Sequence, residues 1–227
     1  MDCPKCKSDE KTKDGVVKGR QRYKCKDCGF RYTVASGSKA KPLHLKKLAL
    51  QLYLEGLGFR SIGRILEVSN VTVLNWIRTF GEQIEELKST EPVVYTEMDE
   101  MHTYVGQKKN YRWIWIAVDR YGKAFISFIV GDRSAETGQT LWDDIEDQLD
   151  GKVATDYWQP YEHFIPKKDH IQSKAETYTV EGYNSLFRHF LARMRRKSKC
   201  YTKSVRMLEL SILLLMHKRN GTLTILY

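Results

Sequence analysis

Apolar positions recur at helical spacing three times in succession between residues 43 and 80, and from residue 93 the pattern changes to strand-length apolar runs. The first helical pattern spans residues 43–55, with Leu45, Leu48, Leu52 and Leu54 as its stripe, and Gly56-Leu57-Gly58 breaks it. The second spans residues 59–66 and turns Ile62, Ile65 and Leu66 inward. Glu67-Val68-Ser69 then forms a turn, and Ser69 stands where its hydroxyl can N-cap a third helix over residues 70–80. That helix directs Val73, Trp76 and Ile77 inward and Asn70, Thr72, Asn75 and Arg78 outward. After a charged connector ending at Pro92, residues 93–105, 111–119 and 123–131 read as three strands. Their short connections predict an antiparallel meander. Residues 135–149 form a helix with Leu141, Trp142, Ile145 and Leu149 on one face; Asp150-Gly151 ends it, and residues 152–155 make a fourth strand. A helical crossover makes that strand parallel to an earlier one, and beside the first strand it would bring its carboxyl end next to residue 99. A helix from about residue 180 and a closing amphipathic-to-apolar helix over residues 202–219 complete the pattern.

The 227 residues suit two or three small domains, and 41% hydrophobic content supports packed cores over disorder. The expected division is residues 1–35, 42–88, 93–200 and a closing helix and tail over 201–227, with the stretch from Ala35 to Pro42 a linker by composition. The polar N-terminus has no signal-peptide pattern, and the longest apolar run, residues 210–216, is broken by Ser211 and too short for a bilayer. A soluble cytoplasmic protein with no membrane partner is expected. The net charge of +10 is unevenly spread: residues 1–47 carry +9, residues 48–94 carry −2, residues 95–165 carry −6 and residues 166–227 carry +9. Two basic ends around an acidic middle fit an enzyme that grips a polyanion and gathers cations at its centre.

Cys3-x-x-Cys6 and Cys25-x-x-Cys28 are separated by 18 residues, the spacing of a four-cysteine zinc site. Val16-Val17 and Arg22-Tyr23-Lys24 around Lys18-Gly19 read as a β-hairpin, so the segment has a zinc-ribbon pattern. Two disulfides would fit the spacing but not a cytoplasmic chain. A segment so short and polar depends on its metal for folding. The fifth cysteine, Cys200, is expected to be a buried thiol. The outward set Asn70, Thr72, Asn75 and Arg78 is what a recognition helix offers the major groove, so residues 42–88 read as a helix-turn-helix.

Asp99 lies in an apolar β-rich run, Asp156 ends the short fourth strand, and Glu181 opens a basic helix. Carboxylates on apolar elements are costly to bury unless paired or metal-bound, and three that converge suit Mg²⁺ or Mn²⁺. Glu181, Asn184 and Arg188 fall at i, i+3 and i+7, on one helical face. Asp119 reads as a turn residue, Glu97 and Glu100 as neighbours of Asp99, Glu176 as the rival third acid, and His170 as a weak neighbour of the site.

These motifs carry a resemblance. Met98-Asp99-Glu100 with Tyr104-Val105-Gly106, Thr155-Asp156 with Trp158, Pro160 and Tyr161, and Glu181-x-x-Asn184-x-x-x-Arg188 continuing through Leu191-Ala192-Arg193 to Arg196-Lys197-Ser198 resemble the DDE transposases of bacterial insertion sequences, most closely the insertion sequence one family. The likeness runs over essentially the whole chain, with a compact gap of 24 residues between Asp156 and Glu181, and Tyr157 stands where a glycine is more familiar. It implies a multidomain α+β chain: zinc ribbon, helix-turn-helix bundle, then an RNase H-like α/β catalytic domain with C-terminal helices. It further implies that Asp99, Asp156 and Glu181 hold two catalytic ions and that Asn184, Arg188, Arg193, Arg196 and Lys197 face DNA. The partners implied are double-stranded DNA, as element ends and target, and further copies of the chain in a dimer or larger assembly. A regulator with an inactive nuclease domain, or a structure-specific nuclease of the same fold, are the rival readings.

Overall fold

A computed structural model of the chain describes residues 2–33, 40–87 and 91–226. Part of the expected linker, residues 34–39, lies outside the described residues. The chain forms two compact units, Met1–Pro42 and Leu43–Tyr227.

In the first unit, β1 (Lys11–Val17), β2 (Arg20–Cys25) and β3 (Arg31–Thr33) form an antiparallel sheet in that order. Lys18 and Gly19 both have positive φ, 50° and 74°, the backbone a tight two-residue hairpin requires. Among the described residues its buried core is Cys3, Cys25 and Tyr32, with Tyr23 and Cys28 packed against it.

The second unit begins with α1 (Leu43–Leu54), α2 (Phe59–Ile65) and α3 (Asn70–Glu82). Ser69 accepts a hydrogen bond from the Thr72 N–H, which starts α3 where the sequence places it. A five-stranded sheet follows: β4 (Val93–Tyr104), β5 (Tyr111–Asp119), β6 (Ala124–Gly131), β7 (Leu149–Thr155) and β8 (His170–Gln172), in the spatial order β6-β5-β4-β7-β8. β4, β5 and β6 are antiparallel neighbours, and β7 and β8 run parallel to β4. α4 (Ala135–Ile145) is the crossover into β7; α5 (Tyr178–Phe190) and α6 (Val205–Asn220) come last. Gly151 lies inside β7 rather than at a helix end, and glycine is required there because a Cβ would sit 1.9 Å from the Val94 carbonyl oxygen.

The sheet is covered on both faces. Ile114, Ile116 and Val118 join one core with α1, α2, α3, α5 and α6, while Trp115 and Ala117 join the other with α4. That is why β5 reads as a continuous apolar run. The three amino-terminal helices therefore share a core with the sheet instead of closing on themselves over residues 42–88. Tyr53 of α1 donates to Ser211 of α6 at 2.7 Å inside that core. Two helical faces differ from expectation. In α1 the buried residues are Ala49, Leu50, Tyr53 and Leu54, with Leu48 exposed, and in α2 Ile65 is exposed while Ile62 and Leu66 are buried. No helix is long and apolar enough to cross a membrane among the described residues.

Candidate active site and metal centre

Each Cys-x-x-Cys closes on the same backbone device. The Lys7 N–H donates to the Cys3 carbonyl and the Gly29 N–H to the Cys25 carbonyl, with Lys7 and Gly29 both at positive φ. The two knuckles then present four free thiols whose sulfurs all lie within 4.8 Å of one another. Cys3 to Cys28 is 3.6 Å and Cys6 to Cys25 is 3.5 Å. Those separations exceed a disulfide and approach the spacing of about 3.7 Å in a tetrahedral shell with zinc–sulfur bonds of about 2.3 Å. The donor set fits a structural zinc ion. The Cys28 backbone N–H holds the Cys25 thiol below its usual range, which favours the ligating thiolate. Cys200, expected to be buried, is exposed.

In the second unit the parallel ladder aligns the first two acids. Glu97 of β4 sits opposite Ala154 of β7, and two residues further along each chain come Asp99 and Asp156. Adjacent strands are about 4.8 Å apart, so Asp99, midway along β4, and Asp156, just past the end of β7, leave neighbouring strands at the same level. The third acid is brought in by α5, whose start is tied to the same strand. Glu97 is fully buried, accepts from the Val180 N–H at 2.9 Å and binds Arg120 Nε at 2.5 Å. Arg120 also binds Glu176 Oε2 at 2.6 Å and lies over the Tyr95 ring at 4.0 Å. Glu97 and Glu176 thus belong to the anchor of α5, and Asp119 caps its turn by accepting from the N–H groups of Tyr121 and Gly122.

Glu181, Asn184, Ser185 and Arg188 of α5 line a cleft of about 430 Å³ together with Asp99, Glu100, His102 and Arg196. Asn184 Nδ2 donates to Asp99 Oδ2 at 2.6 Å, while Asn184 Oδ1 is buried with no hydrogen-bond partner among the described residues. Burial pushes the Asp99 carboxyl up to about 7, and the charges of Glu100, Asp156 and Glu181 add to the rise. Negative charge crowded around a half-buried carboxylate, with an unpaired amide oxygen beside it, is a donor set suited to hard cations. The acids are not drawn as close as the thiols: among the described residues only the cysteines gather three or more ligand atoms within 4.8 Å. Asp156 does not line the cleft itself; its Oδ1 accepts from the Trp158 N–H at 2.9 Å. Thr155 and His170 Nε2 are 2.7 Å apart beside it.

Burial pulls the Arg188 guanidinium below its usual range, and Arg196 adds to this, so two cations share one wall. Arg196 and Lys197 are exposed, as are Asn70, Asn75 and Arg78 of α3; Thr72 is half-buried with its hydroxyl 2.8 Å from that of Ser69. Arg193 is a correction. It is only 8% exposed, donates to the Thr202 hydroxyl at 3.0 Å and lies over the rings of Tyr53 and Phe59, so it holds the fold and does not face DNA. The sequence reading missed Arg133 and left Tyr161 without a role. Arg133 binds Glu100 at 2.6 and 2.9 Å, and the Tyr161 hydroxyl donates to the other Glu100 oxygen at 2.7 Å. An acid directly after Asp99 on a buried strand was the available signal for such partners.

Residues 92–220, which include all three acids, match the family described as IS1 transposase. The IS1 4 protein InsB of Escherichia coli K12 is 37% identical over 117 residues, 51% of this chain and 70% of that protein. The IS1 protein InsB of Shigella flexneri is 35% identical over 113 residues, 50% of this chain and 86% of that protein. Among solved structures, a simian T-cell lymphotropic virus intasome complex gives a TM-score of 0.34 at 14% identity, covering 62% of this chain and 57% of that one. A pre-cleavage Mos1 transpososome gives 0.28 at 12% identity, covering 84% and 81%. The sequence match extends over more than half of the chain and takes in the strand, crossover and helix that carry the acids, and by it the chain belongs to the IS1 transposase family.

Proposed function

We propose that this chain cuts DNA at the ends of a mobile element and joins the freed ends to target DNA, with Asp99, Asp156 and Glu181 as its catalytic acids. The observation that supports the reading is the Glu97–Ala154 pair of the parallel ladder, two residues ahead of Asp99 and Asp156, with α5 fastened to β4 where Glu97 accepts from the Val180 N–H, one residue before Glu181. Three antiparallel strands, a crossover helix, two parallel strands and an acid-bearing helix, in the order found here, support an RNase H-like fold for the catalytic part.

In the first reaction a water oxygen bonds to phosphorus as the P–O3′ bond breaks, leaving a 3′-hydroxyl. In the second that hydroxyl attacks a target phosphodiester, one P–O bond forming as another breaks. Asp99, Asp156 and Glu181 would hold two Mg²⁺ or Mn²⁺ ions, whose charge stabilises the attacking and leaving oxygens. Asn184 fixes the Asp99 carboxylate by its 2.6 Å hydrogen bond. Arg188 and Arg196, on the wall of the same cleft, grip the DNA phosphates. Lys197 adds charge beside them. Asn70, Asn75 and Arg78 of α3 support a helix-turn-helix reading in which this helix meets the element's terminal repeats, with Thr72 contributing mainly to the cap. The basic zinc ribbon adds backbone contacts. Two ends must be held together, so the working form is a dimer or larger assembly.

The test is a cleavage and strand-transfer assay with Mg²⁺ and a duplex that contains the element end. Metal-dependent cutting and joining is expected of the wild type. Asp156→Ala should lose both by at least about 10³-fold while still binding the duplex. Binding without any cleavage by the wild type would sink the proposal in favour of a regulator.

A further inference from the structure

A row of rings and one guanidinium runs beside the carboxylates on the α4 side of the sheet. Tyr111 and His102 are 5.5 Å apart between ring centroids, and His102 and Trp113 are 5.1 Å apart. The Arg133 guanidinium then lies between Trp113 and Trp158, 4.6 and 4.5 Å from their ring centroids. The ladder explains the row: His102 faces Trp113 across β4 and β5, on the side away from Asp99 and Glu97.

Two features distinguish this row from ordinary core packing. It rises out of the core: Trp115, whose ring packs tilted against Trp158, is fully buried, Trp158 and Trp113 are half-buried, and Tyr111 is 55% exposed. It is also tied to Asp156 and to the neighbour of Asp99 in sequence. Glu100, the residue after Asp99, clamps Arg133 through two hydrogen bonds, and the Trp158 N–H donates to Asp156. Clamping an arginine with one carboxylate fixes its plane, so the surface is pre-organised for flat π-systems. His102 opens into the cleft that holds Arg188 and Arg196. Cations for phosphates along one wall, and rings for bases beside them, are the two components of a single-strand binding surface.

We infer that the Tyr111–His102–Trp113–Arg133–Trp158 ledge binds unpaired bases of the DNA strand next to the phosphate being cut. The inference rests on the function proposed above and adds a demand on the substrate: the duplex is opened beside the cleavage point, and its bases stack on this ledge.

The binding test does not need catalysis. Full-length protein is titrated with a short oligothymidine and with a duplex of equal length. Tyr111→Ala and Trp113→Ala are each expected to weaken single-strand binding by roughly 5- to 100-fold, leave duplex binding unchanged, and recover with Tyr111→Phe and Trp113→Phe. Unchanged single-strand binding in the folded alanine variants would overturn the inference. Should Trp113→Ala fail to fold, photocrosslinking of wild-type protein to a 5-bromouracil oligonucleotide decides. Crosslinks are expected in the peptides that carry residues 102, 111, 113 and 158, and crosslinks confined to other regions would refute the ledge. Loss of cutting with intact single-strand binding would fault the proposed reaction and leave the ledge standing.

Discussion

Arg188 and Arg193 lie five residues apart in one basic stretch and have opposite fates. Arg188 lines the acid cleft, whereas Arg193 is packed against the rings of Tyr53 and Phe59 and bound to Thr202. Arg188→Ala is therefore expected to weaken DNA binding and lower the slope of affinity against salt by about one. Arg193→Ala should leave that slope intact and cost about 2–3 kcal/mol in denaturant unfolding, from lost packing and hydrogen bonds. The difference was not legible locally, because the rings over Arg193 come from α1 and α2, more than 130 residues earlier. Asp99 offers a second residue-scale expectation. Its carboxyl titrates at about 7 in the fold against an ordinary value of 3.8, so between those limits the folded chain holds a proton that the unfolded chain has released. Metal-free protein should then lose stability as pH rises from about 4 to 7, by on the order of 4 kcal/mol. Asp99→Asn should flatten that slope in unfolding measured with a chelator present, and a wild-type profile rising over the same range would contradict it.

Among the elements, α5 depends most on a single anchor. Glu176, Arg120 and Glu97 form an ion-pair chain that runs from the half-exposed Glu176 to the fully buried Glu97 and ends at the Val180 N–H, one residue before Glu181. Removing one partner leaves the other charge buried, so Arg120→Met should cost about 3–5 kcal/mol in chemical unfolding. Glu97→Gln, which keeps the shape, should cost less stability but still slow strand cleavage, because α5 loses the hold on its first turn. Helix and strand order in this unit was legible from periodicity; Asp99 and Asp156 were singled out as charges on apolar strands, and Glu181 by the helical face it shares with Asn184 and Arg188. The short strand β8 was not legible, since three residues with no fully buried member give no period to read. The faces of α1 and α2 were misjudged for a related reason. With leucines on several sides of α1, the inward face is chosen by the partner, and Tyr53 is taken into the core by Ser211 of α6.

At the scale of the whole molecule, the first unit has almost no apolar core beyond Cys3, Cys25 and Tyr32, so its fold rests on the four sulfurs. Stripping zinc with a strong chelator should unfold residues 2–33 and leave the second unit's helical signal and melting intact, as followed by backbone NMR. Persistence of the amino-terminal amide pattern without metal would show that the hairpin stands alone. Composition and cysteine spacing made that unit legible, but the boundary of the next was not. An independent bundle and a bundle that shares its core with a sheet have the same helical period, and only long-range packing tells them apart. That shared core has a mechanical consequence. Because α3 and the acid-bearing strands are packed into one compact unit, the function proposed above would make the protein a ruler: base pairs met by α3 and the phosphate to be cut would have to lie a fixed number of steps apart. Inserting two or three base pairs between them should not move the cut along with the repeat but should abolish it.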